Sequence, residues 1–152
     1  MVAFKAINVI LVLVYSFGSA LWVNSGDSWY RNLNQPSWQP PDWVFGIIWP
    51  YNFIVIAIIG WRLADHASRL SNIAFSSLLV IAVTTALLWS YSFYSIHNIA
   101  RATLFLALVV ISSALFTVIS FINLGAIALI LVPYVAWVST ATLLSYSYQK
   151  LN

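Results

Sequence analysis

The chain has 152 residues, 62% of them hydrophobic and only 6% charged, with a formal net charge of +3. A soluble domain carries roughly 25% charged residues to cover its surface, so six basic and three acidic side chains exclude a water-facing globule and require an integral membrane protein. The scattered bases exclude a nucleic-acid surface, and the absence of cysteine excludes disulfides, thiolate metal sites and a cysteine nucleophile.

Five apolar runs follow one another, at residues 6–23, 44–63, 73–94, 102–122 and 124–146. Each is near the roughly 20 residues that a helix needs to cross a ~30 Å hydrocarbon core. None carries a charge in its middle, where insertion would cost on the order of 2.5–3.5 kcal/mol. The inward–outward alternation of a membrane strand is missing. The expectation is an all-α membrane protein, one domain over residues 1–152 built as a five-helix transmembrane bundle.

The first run follows Lys5 and passes the small residues Gly18, Ser19 and Ala20, which resembles a signal peptide with its cleavage site. Its apolar character continues to Val23, which favours a retained span.

The connection at 24–43 is the long one, and it is rich in rings and prolines. Pro36, Pro40 and Pro41 fix φ and remove donors, so the loop is stiff. A stiff loop carrying Trp38 and Trp43 suits a cover over a cavity better than a tether.

Phe45, Trp49 and Phe53, spaced four apart, share one face of the second span. Trp89 and Phe93 repeat that spacing in the third. The fourth is nearly featureless apart from Ser112, Ser113 and Thr117, with Ser112, Ser113 and Ala114 offering a small-residue surface for close helix approach. Ser76 and Ser77 offer another on the third. In the fifth, Tyr134, Trp137, Ala141 and Ser145 form a stripe beside Leu144. Pro50 and Pro133 each remove a helix hydrogen bond and can open their spans toward a cavity.

Trp29, Tyr30, Trp43, Tyr94, Tyr146 and Tyr148 lie where an interfacial aromatic belt would form. Trp49 and Trp137 lie deeper, where an indole N–H needs a partner that hydrocarbon does not offer. Orientation is undecided by charge. Lys5, Arg62 and Arg69 on one side balance Arg31, Arg101 and Lys150 on the other.

No catalytic constellation emerges from spacing. Ser90 and Ser139 read as helix-packing hydroxyls. His66 and His97 lie in loops without the partner cluster that a metal or haem ligand set requires, so no metal site is expected.

Two stretches carry a resemblance: "WY..L..P.W.PP..VFG.IW" from Trp29 to Trp49, and "VPY..W...AT.L" from Val132 to Leu144. With five spans in the right order, the chain resembles the TspO/MBR family, the translocator and tryptophan-rich sensory proteins. The resemblance implies a five-helix bundle, usually homodimeric through the third span. Its first loop would cap a pocket for porphyrins, haem-like tetrapyrroles and other flat aromatic ligands, bound as ligands and not as cofactors. By matching motif the pocket would comprise Tyr30, Trp38, Phe45, Trp49, Phe53, Trp89, Trp137, Ala141 and Leu144. Leu144, Tyr146 and Lys150 also fit a proposed cholesterol pattern, and their placement matches the family's sterol segment. Departures from the family pattern include Ala86, where an asparagine is common, and Pro50, where threonine is frequent.

Three functions remain open. The leading one is a membrane receptor or sensor for tetrapyrroles. The second, implied by some bacterial relatives, is porphyrin degradation with light and oxygen through Trp49 and Trp137. The third is passive porphyrin or sterol transfer, since proton-coupled transport commonly uses intramembrane ionisable residues and these spans carry no charged residue in their middles.

Overall fold

A computed structural model describes residues 1–23 and 27–152. Five long helices run through it: α1 (Val2–Ala20), α3 (Asp42–His66), α4 (Arg69–Tyr94), α5 (Ile99–Leu124) and α6 (Val132–Leu151). A single turn, α2 (Ser28–Arg31), interrupts the first loop, and a 3-10 segment (Gly125–Leu131) joins α5 to α6. No strand occurs among the described residues.

The helix ends follow from local chemistry. Ser68 and Asn98 cap α4 and α5 by accepting from the backbone N–H groups of Ser71 (3.1 Å) and Arg101 (2.9 Å). The apolar stretch Ile99–Leu151 is 53 residues long, far more than one crossing needs. It folds back at Gly125, whose φ of +62° suits a residue without Cβ.

The fifth expected span began at 124, but regular α-helix starts only at Val132. Pro133 explains this, since it lacks an N–H and sits in the first helical turn, where none is needed. It starts the helix instead of opening it. Pro50 lies inside α3 on its exposed side, and the helix continues through it.

Pairings between helices set the bundle order. Tyr15 meets Phe53 edge-on at 5.1 Å, and Asn8 Nδ2 donates to the Gly60 carbonyl at 3.1 Å, so α1 and α3 run antiparallel. Ser76 Oγ donates to Asn8 Oδ1 at 2.8 Å, and Ser90 Oγ to the Ser19 carbonyl at 3.0 Å, so α1 and α4 run parallel. On the other side α4 packs on α5 and α5 on α6, through Phe75, Phe116 and Tyr134. The contact between α3 and α6 is sparse by comparison. The Tyr51 hydroxyl closes one end of that seam by donating to the Ile130 carbonyl at 2.9 Å.

With lipid outside, apolar burial gives helices little reason to associate, so small residues and polar links hold them together. A Cβ on Gly60 would stand 3.0 Å from Asn8 Cβ, so glycine permits this approach. Ser112 and Ser113 are spent in the same way. They are buried within the protomer and bonded to their own helix, which removes them as a surface for a second copy. The helix α1 also belongs to the core, since its Asn8, Val12 and Tyr15 are buried.

Candidate functional site

The loose α3–α6 seam continues into a cavity of about 410 Å³ at the end of the bundle that carries the long loop. Its wall is aromatic. Phe45, Trp49 and Phe53 come from α3, and Trp89, Phe93 and Tyr94 from α4. From α6 come Ala141, Leu144, Ser145 and Tyr148, one helical face by their spacing. From α1 come Ser16, Ser19 and Ala20, followed by Val23 beyond the helix end. Tyr30 of α2 and Asp42, the first residue of α3, complete the rim.

The rings support one another. Trp49 stacks on Phe53 at 5.8 Å, and Tyr15 packs edge-on against both. The Tyr15 hydroxyl lies 3.4 Å from that of Tyr134, so two fully buried phenols satisfy each other beneath the cavity wall. Near the rim, Tyr30 packs against Phe93, Tyr94 and Tyr148.

The long loop is anchored at several points beside this rim. Trp29 lies flat on His97, centroids 4.0 Å apart, and meets Phe93 edge-on. His97 adopts φ +59°, uncommon for a residue with a side chain, and its Nε2 is 3.4 Å from the Asp27 carboxylate. The Asn34 N–H donates to Asn152 Oδ1 at 2.8 Å, and Asn152 Nδ2 returns a bond to the Asn34 carbonyl at 3.2 Å. The Tyr148 hydroxyl donates to Gln39 Oε1.

Of the nine pocket residues implied by resemblance, the structure brings seven to this wall: Tyr30, Phe45, Trp49, Phe53, Trp89, Ala141 and Leu144. Trp38 and Trp137 are not on it. Trp38 is 47% exposed, because the loop docks through Tyr30, Asn34 and Gln39 instead. Trp137 packs edge-on against the wall residue Phe45 at 5.1 Å. Its buried Nε1–H has no acceptor among the described residues, and neither polar atom of buried Asn52 has a partner there.

Leu144, Tyr146 and Lys150 do not converge. Leu144 faces the cavity, while Tyr146 is exposed with the Lys150 ammonium 5.4 Å from its ring centre. Helical spacing explains the split, since two residues turn the chain through about 200°.

The wall residues missed from the sequence have two explanations. Tyr94 and Tyr148 read as membrane-belt residues, and nothing in their position separated the two roles. The contribution of α1 had a usable signal, because Ser16, Ser19, Ala20 and Val23 keep one helical face.

Comparison with known proteins agrees with this architecture. The model of the TspO/MBR family matches residues 6–151. Protein CrtK of Rhodobacter capsulatus is 34% identical over 131 residues, covering 84% of this chain and 81% of that protein. A tryptophan-rich sensory protein of Cereibacter sphaeroides is 32% identical, covering 83% of this chain and 78% of its own length. The human translocator protein is 28% identical, covering 89% of this chain and 81% of its own. With a family match across nearly its whole length and long apolar helices able to cross a bilayer, the chain is an integral membrane protein belonging to the TspO/MBR family.

Proposed function

We propose that this protein is a membrane receptor or sensor that binds porphyrin, haem and related flat apolar ligands in the aromatic cavity, with the long loop as its cap. The observation that carries it is the cavity itself, about 410 Å³ and walled by rings from four helices, α2, α3, α4 and α6. Small-molecule sites occupy roughly 300–1,000 Å³, mostly apolar with a few placed polar groups. Tyr30 and the anchored loop supply the rim that a cap needs. A sterol is a weaker fit, because Leu144 of its pattern faces the cavity while Tyr146 and Lys150 pair on another face of the helix.

Titration with protoporphyrin should quench tryptophan fluorescence saturably, since Trp49 and Trp89 line the wall. Saturable quenching by aliphatic amphiphiles of similar size, with none by protoporphyrin, would reject the ligand class.

Porphyrin degradation through Trp49 and Trp137 is the competing function. Its two indoles should both reach the bound ring, yet Trp137 does not line the cavity and instead packs edge-on against Phe45, which does. Bound protoporphyrin should therefore bleach in light and oxygen at the same rate with wild type, Trp49→Phe and Trp137→Phe. A distinct product formed by wild type alone, with binding retained in both variants, would establish the enzyme instead.

A further inference from the structure

We infer that Asp42 sets the charge preference of the cavity, so that flat apolar ligands with a cationic or N–H-donating edge bind better than those with a carboxylate there. The inference rests on the cavity being the ligand site proposed above, and it names the class of ligand edge which that site accepts.

Among the described residues Asp42 is the one charged residue that lines the cavity, and none of the six bases lines it. Two of the three acids are answered by a base: Asp65 Oδ2 lies 2.7 Å from Lys5 Nζ, and Asp27 faces His97. Asp42 makes no ion pair among the described residues. Three hydroxyls of the wall are already engaged. Ser19 Oγ donates to the Tyr15 carbonyl at 2.6 Å, Ser145 Oγ shares a bond with Thr103 at 2.8 Å, and the Tyr148 hydroxyl donates to Gln39. The Asp42 carboxylate is thus the charged acceptor left for a ligand.

Asp42 is exposed at the start of α3, which moderates its effect in water. The apolar walls act in the opposite sense, because low-dielectric surfaces focus the field of a lone charge into a cleft. A ligand carboxylate at the rim meets a like charge with no base to relieve it. A dicarboxylic porphyrin must then turn its acid edge away from Asp42, whereas an ammonium gains a charge-assisted hydrogen bond.

The test uses the full chain in nanodiscs of zwitterionic lipid. Three ring-matched probes are titrated: protoporphyrin, its neutral dimethyl ester, and its amide with a diamine, which carries ammonium groups. Wild type should bind the ammonium form about fivefold more tightly than the acid, with the ester between them. Added salt should narrow the gap. Asp42→Asn should bring acid and ammonium forms within about twofold, and Asp42→Lys should reverse their order. Wild type binding the acid as tightly as the ammonium form, or Asp42→Asn keeping the original order, overturns the role of Asp42 and leaves the cavity assignment standing. No binding of any of the three probes by wild type removes the cavity assignment itself.

Discussion

Trp49→Ala should weaken protoporphyrin binding by roughly 5- to 150-fold, the range spanned by about 1–3 kcal/mol for one stacking ring. Trp49 is the most consequential ring because it belongs to the wall and is held from behind. Phe53 stacks on it and Tyr15 braces its edge, so it meets a ligand with little ordering left to lose. The informative partner is Trp38→Ala. Trp38 carries the same indole in a proline-rich stretch, but it is 47% exposed and absent from the wall. Its removal should change affinity by about twofold or less, the usual scale of a peripheral contact. Affinity is best read from the porphyrin absorption band, since both substitutions alter protein fluorescence. Equal losses in the two variants would mean that the loop folds over the ligand with Trp38 inward, and would overturn the placement of Trp38 outside the site.

The largest stability effect is expected at Phe116, which is fully buried between Phe75 of α4 and Tyr134 of α6. Phe116→Ala removes the ring that joins three helices. In a soluble core such a change costs about 3–5 kcal/mol, part for lost transfer from water and part for the cavity left behind. In a bilayer the separated helices expose the ring to lipid, so the transfer part shrinks and the packing part remains. Taking roughly 100 Å³ of lost ring at about 24 cal/mol per Å³ gives about 2.4 kcal/mol. Unfolding by an ionic detergent from mixed micelles would measure it. A cost below about 0.5 kcal/mol, the size of an ordinary surface substitution, would show that α4, α5 and α6 are not joined through this ring.

Asn52 and Trp137 leave buried polar atoms without partners among the described residues, in a region with little water. Such groups are expensive in a protein that faces lipid. The depth of Trp137 in its span marked its N–H as needing a partner and nothing in the sequence marked Asn52, but whether either is satisfied depends on what the other helices bring to it. The same limit applies to the small residues. Ser112–Ser113 looked like a contact surface, and it is one, but the partner is the rest of the same chain. A small-residue run states that something approaches closely and does not say what.

Composition and the length of the apolar runs were enough to determine the class of this protein. Burial of backbone in hydrocarbon leaves helices as the solution for runs of this length without alternation, so an all-helical membrane protein follows from local information. The four-residue spacing of Phe45, Trp49 and Phe53 was equally local, because it depends only on helix geometry. Tertiary structure decided what spacing leaves open: which way each face turns and what lies across from it. The cavity lies where α3 meets both α4 and α6 only sparsely, a property of helices far apart in sequence or turned away from each other and not of any one segment. The serines of α1 reach it because that end of α1 is held against α4 by the Ser90–Ser19 bond and against α3 by Tyr15 on Trp49 and Phe53. Trp38 and Trp137 match the motif as well as Trp49 does, yet Trp49 alone of the three lines the cavity. The physical reason is that membership of a motif fixes a residue type, while occupancy of a wall is set by helix packing and by which loop contacts win.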